Sequence, residues 1–211
     1  MSKTNIGLVE YAKCQLGKPY WYGTFGQKAT ISLLNSKKKQ YPKYYRASDF
    51  KGQIGSKVFD CIGLIKGYLW SDTPTSDPKY NSEQDVSAKG MYAVSKVKGT
   101  ISSFNKKNGT LVYKGRSTSS ITHVGIYSNG YVYEAKGHAY GVVKTKFNSS
   151  WKYWSECPFI KYSDTHNKTN KDIANEVIQG IWGNGQERKD KLTAAGYNYR
   201  EIQNIVKDIL G

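Results

Sequence analysis

The sequence predicts an α+β domain followed by a small all-helical module. Three observations carry this. Up to about residue 97 the apolar residues recur mainly at helical spacing. From Gly99 to Tyr162 they turn to short alternating runs rich in β-branched and aromatic residues. After a polar stretch at 163–171, helical spacing returns to the end of the chain. Helices first and antiparallel strands second is the α+β order.

Each element has its own signal. The first helix is expected from Asn5 to Leu16, with Ile6, Val9, Ala12 and Leu16 on one face. Gly17 suits the position past its end and Pro19 blocks continuation. Cys14, in its last turn, reads as a packing cysteine. Lys18-Pro19-Tyr20-Trp21-Tyr22-Gly23 is a turn dense in aromatics. Residues 24–57 are basic, tyrosine-rich and weakly periodic, the mark of a long surface excursion that shapes a groove. A second helix is expected over Cys61–Trp70, with Ile62, Ile65 and Leu69 on one face, Leu64 and Tyr68 widening it, and Asp60 as N-cap. Residues 71–78 form a loop by composition, and a helix interrupted by Gly90 is expected from Ser82 to about Val97. The strands follow: Thr110–Tyr113, His123–Tyr127, Tyr131–Ala135, Gly141–Lys146 and Pro158–Tyr162.

These elements divide the chain into a domain at 1–162, a linker at 163–171 that holds His166, and a helical module at 172–211. The module reads as a three-helix bundle. Its first helix carries Ile173, Val177, Ile178 and Ile181 as a stripe. The second starts at Asn184 with Glu187 three residues on, a capping-box spacing, and stops at Gly196. The third starts at Asn198 with Glu201 three residues on, and carries Ile202, Ile205, Val206, Ile209 and Leu210. A module of about 40 residues buries little on its own, so it is expected to lean on the first domain or to self-associate weakly with a second copy.

Composition excludes several classes. No run of apolar residues is long enough for a membrane-spanning helix. The N-terminus lacks the apolar core of a secretion signal, so a product made in the cytoplasm and released by other means is expected. Three cysteines are too few and odd in number for a disulfide framework, and the three histidines lack metal-site spacing. Neither a metal nor a cofactor is expected. The net charge is +16, and all of it lies in residues 1–163. A polyanionic partner such as an anionic wall polymer fits that charge. The basic residues are scattered and no nucleic-acid motif appears, so a nucleic-acid partner is not expected.

The chemistry gathers on three residues. Cys61 opens a helix, where the dipole favours thiolate. His123 opens the strand His123-Val-Gly-Ile-Tyr127, which runs into Ser128-Asn129-Gly130-Tyr131. Asn-Gly is the strongest short hairpin signal. A two-residue turn there pairs Ser128 with Tyr131, Tyr127 with Val132 and Ile126 with Tyr133. His123, Gly125 and Glu134 then share one face. Glu134 becomes a diagonal neighbour of His123, with Gly125 leaving room between them. A carboxylate on one imidazole nitrogen fixes the tautomer and leaves the other for a thiol. The candidate triad is Cys61, His123 and Glu134, with His138 the competitor for the third role.

Pro19-Tyr20-Trp21-Tyr22-Gly23, Asp60-Cys61-Ile62-Gly63-Leu64 and His123-Val-Gly-Ile-Tyr127 together resemble the motifs of NlpC-like cell-wall cysteine peptidases. The resemblance spans roughly residues 5–162, with 24–57 longer than in minimal members. It implies a papain-like fold and cleavage of the peptidoglycan stem peptide, usually between D-glutamate and the diamino acid. It implies Cys61 as nucleophile, His123 as base, Glu134 as third residue, Tyr20 as the tyrosine beside the nucleophile, and Asp60 near the substrate. Ile62 stands where the family usually has Ser or Thr, and Gly109-Thr110 where it has Gly-Asp. The missing hydroxyl argues against recognition of a free N-terminal L-alanine. An amidase cutting the bond between the sugar lactyl group and L-alanine with the same residues is the alternative, and a wall-binding protein with an inactive first domain is the alternative of another class. The tail, with Gly180-Ile-Trp182-Gly183-Asn184-Gly185, Glu187-Arg188-Lys189 and Leu192-Thr-Ala-Ala-Gly196-Tyr197, resembles the Cpl-seven-type wall-binding repeat of phage lysins. That implies a peptidoglycan ligand, with Trp182, Asn184 and Arg188 as candidate contacts, and a phage-type endolysin as the whole.

Overall fold

The computed structural model describes residues 3–46, 50–162, 169–195 and 197–211. The chain divides into two units, Met1–Lys161 and Tyr162–Gly211. In chain order the first unit holds α1 (Asn5–Cys14), β1 (Phe25–Lys28), α2 (Ile31–Gln40), β2 (Lys57–Phe59), α3 (Gly63–Trp70), α4 (Ala88–Val94), β3 (Lys98–Thr100), β4 (Leu111–Gly115), β5 (Ile121–Ser128), β6 (Tyr131–Ala135), β7 (Val142–Lys146) and β8 (Tyr153–Ser155). The second holds α5 (Asn170–Ile178), α6 (Gly185–Ala194) and α7 (Tyr199–Leu210).

Six strands form one antiparallel sheet in the order β3-β8-β4-β5-β6-β7. The β5–β6 hairpin has the register that Asn129-Gly130 dictates: Ser128 pairs with Tyr131, Tyr127 with Val132 and Ile126 with Tyr133. Asn129 and Gly130 take φ of 48° and 80°, the left-handed pair that a tight hairpin turn needs. Helix α1 packs on α3 and on β5 and β6. The other sheet face is covered by Trp151, Trp154, Phe104 and Phe147 over Val112, Tyr127 and Val132. Fully burying side chains of this size stabilises by about 1.5–3 kcal/mol each, which is what fixes the sheet beneath the site.

Several boundaries differ from the sequence expectation. Helix α1 ends at Cys14, and Cys14 and Leu16 are exposed rather than packed. The helix expected over Ser82–Val97 is a short 3-10 turn, Ser82–Gln84, followed by α4. Gly90 does not break it; its N–H donates to the capping hydroxyl of Ser87, 3.1 Å away. The last strand of the sheet is Tyr153–Ser155, because Trp154 packs on the sheet face while Pro158–Tyr162 makes only an isolated bridge between Lys161 and Thr4.

The largest departure is at 24–57. This stretch is no bare surface excursion. β1 pairs with β2, α2 is capped by Thr30, and Trp21, Ala29, Leu34, Tyr45, Phe50 and Val58 form a buried cluster. Helix α2 escapes a periodicity search because Leu34 is its only buried residue and its second half is Lys37-Lys38-Lys39.

The C-terminal module has its own core of Ile173, Ala174, Val177, Leu192, Tyr197, Ile202 and Val206. Ile178, Ile181, Ile209 and Leu210, expected on its stripes, are exposed, because α5 ends at Ile178 and the last turn of α7 runs past the core. Asn184 does not cap α6 with its side chain; its Oδ1 accepts from Arg188 Nη2 at 2.7 Å instead. The expected stop at Gly196 and the linker residues 163–168, His166 among them, lie outside the described residues.

Candidate active site

Cys61 sits at a junction that three segments hold closed. The Pro19–Trp21 stretch runs beside Phe59: Trp21 N–H donates to the Phe59 carbonyl at 3.0 Å, and Phe59 N–H to that of Pro19 at 3.2 Å. Asp60 then ties the next turn. Its Oδ2 accepts from Gly23 N–H at 2.8 Å and its Oδ1 from Gly63 N–H at 2.6 Å. The helix therefore begins at Gly63, not at Cys61, and the Asp60 carboxylate still serves its first turn. Gly63 is required here. A Cβ at this position would lie 1.8 Å from the Thr24 carbonyl oxygen. Asp60, expected near the substrate, is buried and points inward, and burial raises its pKa against the pull of its two amide bonds.

The backbone amides of Val124, Ile62 and Cys61 lie near enough to the Cys61 thiol to favour its charged form. Val124 follows His123 on β5, so the sulfur lies against the strand that carries the histidine. Burial, reinforced by the Asp60 charge, pushes the thiol pKa up to about 12. The expected resting thiolate is thus not what the site favours. Desolvation outweighs the helix terminus and the three amides.

His123 is fixed from three sides. Its Nε2 and Glu134 Oε2 are 2.6 Å apart. Its ring stacks on Trp151, 5.7 Å between centroids and 28° between planes. Lys114 stands opposite it on β4, its Nζ 4.3 Å from the centre of the Trp151 ring and 3.9 Å from Glu134 Oε2. With Nε2 engaged, Nδ1 is the nitrogen left for a second partner. Glu134 is 1% exposed, and Thr145 Oγ1 donates to its Oε1 at 2.6 Å. Burial pushes the Glu134 pKa up, but the bonds from His123 and Thr145 and the charges of His123 and Lys114 win and hold it below the usual carboxylate range. Gly125 leaves the space between them. A Cβ there would lie 2.3 Å from Val132 Cγ1 and 3.0 Å from Trp151 Cη2.

His138 is elsewhere. Its ring packs on Phe50 at 4.4 Å, and its Nδ1 is buried with no partner among the described residues. Tyr20 lies near Cys61: burial raises its hydroxyl pKa far above normal, and the nearness of Cys61 and Asp60 adds to this. Ile62 is buried and offers no hydroxyl to the site. Thr110, in place of the acidic residue, leaves its hydroxyl buried with no partner among the described residues.

Lys114, Thr145 and Trp151 were not legible as site residues. The pairings Lys114 with His123 and Thr145 with Val132 place the first two, and both needed registers that no turn residue announces. Trp151 comes from the β7–β8 connection, with no periodic signal.

In the second unit, Trp182, Asn184 and Arg188 lie together at the start of α6. Arg188 Nε donates to the Gly183 carbonyl at 2.8 Å and its Nη2 to Asn184 Oδ1. Trp182 Nε1 donates to Glu176 Oε2 at 3.0 Å, and its ring meets Tyr197 edge-on at 5.7 Å. Among the described residues no group of His, Cys, Asp or Glu is placed to hold a metal ion, and no helix is long and apolar enough to cross a membrane.

Residues 171–210 match the CW_7 repeat family model. Over 37 residues, 18% of this chain, the sequence is 60% identical to the lysozyme of Streptococcus phage Cp-7, and it covers 11% of that protein. Among solved structures, the chain is similar to the Resuscitation Promoting Factor Interacting protein RipA mutated at C383, with 19% identity and a TM-score of 0.46. That match covers 75% of this chain and 63% of RipA. The peptidoglycan hydrolase RipB of Mycobacterium tuberculosis gives 17% identity, a TM-score of 0.44, and coverage of 75% and 66%. The NlpC/p60 domain of the peptidoglycan hydrolase SagA gives 16% identity, a TM-score of 0.41, and coverage of 72% and 97%. The chain thus spans about a tenth of the curated relative it matches and under two thirds of RipA.

Proposed function

We propose that the protein is a peptidoglycan hydrolase that cuts the stem peptide by a Cys61–His123–Glu134 thiol mechanism, at the D-glutamyl to diamino-acid bond, with the C-terminal module holding it to the wall. The observation that carries the reading is the His123 Nε2–Glu134 Oε2 bond at 2.6 Å on the strand whose next residue, Val124, lies near the Cys61 thiol. Because burial raises the Cys61 thiol pKa, His123 Nδ1 removes its proton as the sulfur attacks the scissile carbonyl. The backbone amides of Cys61 and Ile62, at the lead-in to α3, are the donors for the oxyanion that forms. Glu134 holds Nε2–H and stabilises the imidazolium. The imidazolium then gives its proton to the leaving amine. The thioester is hydrolysed by a water that His123 deprotonates, and the thiol is restored. Asp60 acts through the backbone as a positioning residue, and Tyr20 walls the thiol. In the module, Trp182, Asn184 and Arg188 form the candidate wall contact, supported by the CW_7 match over 171–210.

Buried Ile62 favours a second reading of the bond. With no hydroxyl to greet a free L-alanine terminus, the enzyme acts on stems still attached to the glycan, and the same residues serve an amidase. Mass spectrometry of digested wall separates the two. New diamino-acid or lysine N-termini support the endopeptidase; new N-terminal L-alanine replaces it with the amidase. A wild type that binds wall and releases nothing leaves only a binding protein.

A further inference from the structure

The turn at 41–45 puts an aromatic platform beside the candidate site, and nothing in the thiol mechanism uses it. Tyr45 anchors the turn. It is buried against Trp21 and Phe50, and its hydroxyl donates to the Tyr22 carbonyl at 2.7 Å. On that anchor the Tyr44 ring lies flat on Tyr22, 3.7 Å between centroids and 1° between planes. Tyr41 meets the same Tyr22 ring edge-on at 5.0 Å and covers Gly23, where a Cβ would lie 2.5 Å from its ring. Gly23 is the residue whose N–H is held by Asp60, the immediate neighbour of Cys61. The platform is thus one hydrogen bond and one peptide from the nucleophile. Tyr20 lies within electrostatic reach of Cys61, Asp60, Tyr22 and Tyr44.

Tyr44 is nevertheless 56% exposed. A large ring held rigidly with one face in solvent offers apolar area at small entropic cost, with a hydroxyl at its wet edge. Such a flat face suits the C–H face of a pyranose ring, and the tyrosine hydroxyls suit the sugar's polar rim. An extended peptide would instead use strand edges and side-chain pockets.

We propose that the Tyr22–Tyr44 stack is a sugar subsite that takes a pyranose ring of the glycan to which the stem peptide is attached. This rests on the wall-hydrolase reading and sharpens it: the enzyme selects stems that still carry their disaccharide.

The test has two arms on the full chain. In the first, kcat/KM is measured on a disaccharide-bearing muropeptide and on the free stem peptide, for the wild type, Y44A and Y44W. The ratio of the two values falls about three- to tenfold in Y44A, through KM, and is kept in Y44W. A ratio unchanged in Y44A, or one lost equally in Y44W, overturns the subsite. In the second arm the protein carries 3-fluorotyrosine, the Tyr44 signal is assigned by its loss in Y44F, and the GlcNAc–MurNAc disaccharide is added. The Tyr44 fluorine signal shifts on titration. A shift in a protein that cuts no wall keeps the subsite and ends the hydrolase reading. Wall cleavage with no shift and no change of ratio does the opposite. Neither cleavage nor shift ends both.

Discussion

At the residue scale the site is a contest between desolvation and polar contacts, and the two proposed catalytic groups come out on opposite sides. Cys61 loses its charge to burial, with its thiol pKa pushed up to about 12, whereas Glu134 keeps its charge because His123, Thr145 and Lys114 all face it. The first predicts the pH course of alkylation. Iodoacetamide labelling of Cys61 in the free protein is slow at neutral pH and keeps rising past the ordinary thiol value of 9.0, where a preformed ion pair would give a plateau from acid pH upward. The second predicts a pH-dependent stability. A carboxylate whose folded pKa is lowered contributes fully above its unfolded value of 4.5, and that contribution is lost as pH falls through the lower folded value. Urea titrations of the wild type against E134Q show the difference shrinking below about pH 4.5, and E134Q lowers kcat by about 10²–10⁴-fold at neutral pH. The pair His123 and Glu134 was legible in the sequence because alternation and an Asn-Gly turn together fix which residues share a face. The protonation state of Cys61 was not, since burial is a property of everything that packs around the thiol.

At the scale of elements, turn chemistry travelled well and weak amphipathicity did not. The β5–β6 register follows from two residues, Asn129 and Gly130, whose positive φ values leave one solution. Helix α2 buries Leu34 alone and hides its fold role in the aromatics on either side, Trp21, Tyr45 and Phe50. The start of α3 is the element on which the proposed catalysis most depends, and Gly63 is its tightest point. An alanine methyl at this position would sit 1.8 Å from the Thr24 carbonyl oxygen, so G63A must push α3 off the strand lead-in at Thr24. We expect a loss of about 1–3 kcal/mol in chemical denaturation, together with a drop in kcat that exceeds any change in KM, because the turn bearing Cys61 moves with it.

At the scale of the whole molecule, chemistry and retention are assigned to separate units, each with its own core. The charge follows the same division, with the full +16 carried by residues 1–163 and a balanced tail. The wall binding proposed for the module therefore rests on its polar and aromatic groups rather than on net charge. In a C61A background, adding R188A removes the bonds that brace Gly183 and Asn184, and co-sedimentation with purified wall falls while the helical content of the chain is kept. Retention that is unchanged by R188A but collapses with added salt would instead assign wall binding to the basic first unit. The tail's three-helix organisation was readable from its stripes and from the Asn198 cap, whose side chain accepts from Glu201 N–H. Its outer residues Ile178, Ile181, Ile209 and Leu210 were not, since a stripe does not say where a core ends. The central claim, that a thiol on α3's lead-in cuts the stem peptide, is tested most directly by lysis of purified wall by wild type and C61A at equal loading. The wild type clears the suspension and releases new amino termini, while C61A sediments with the wall and releases none. Equal clearing by C61A would contradict it.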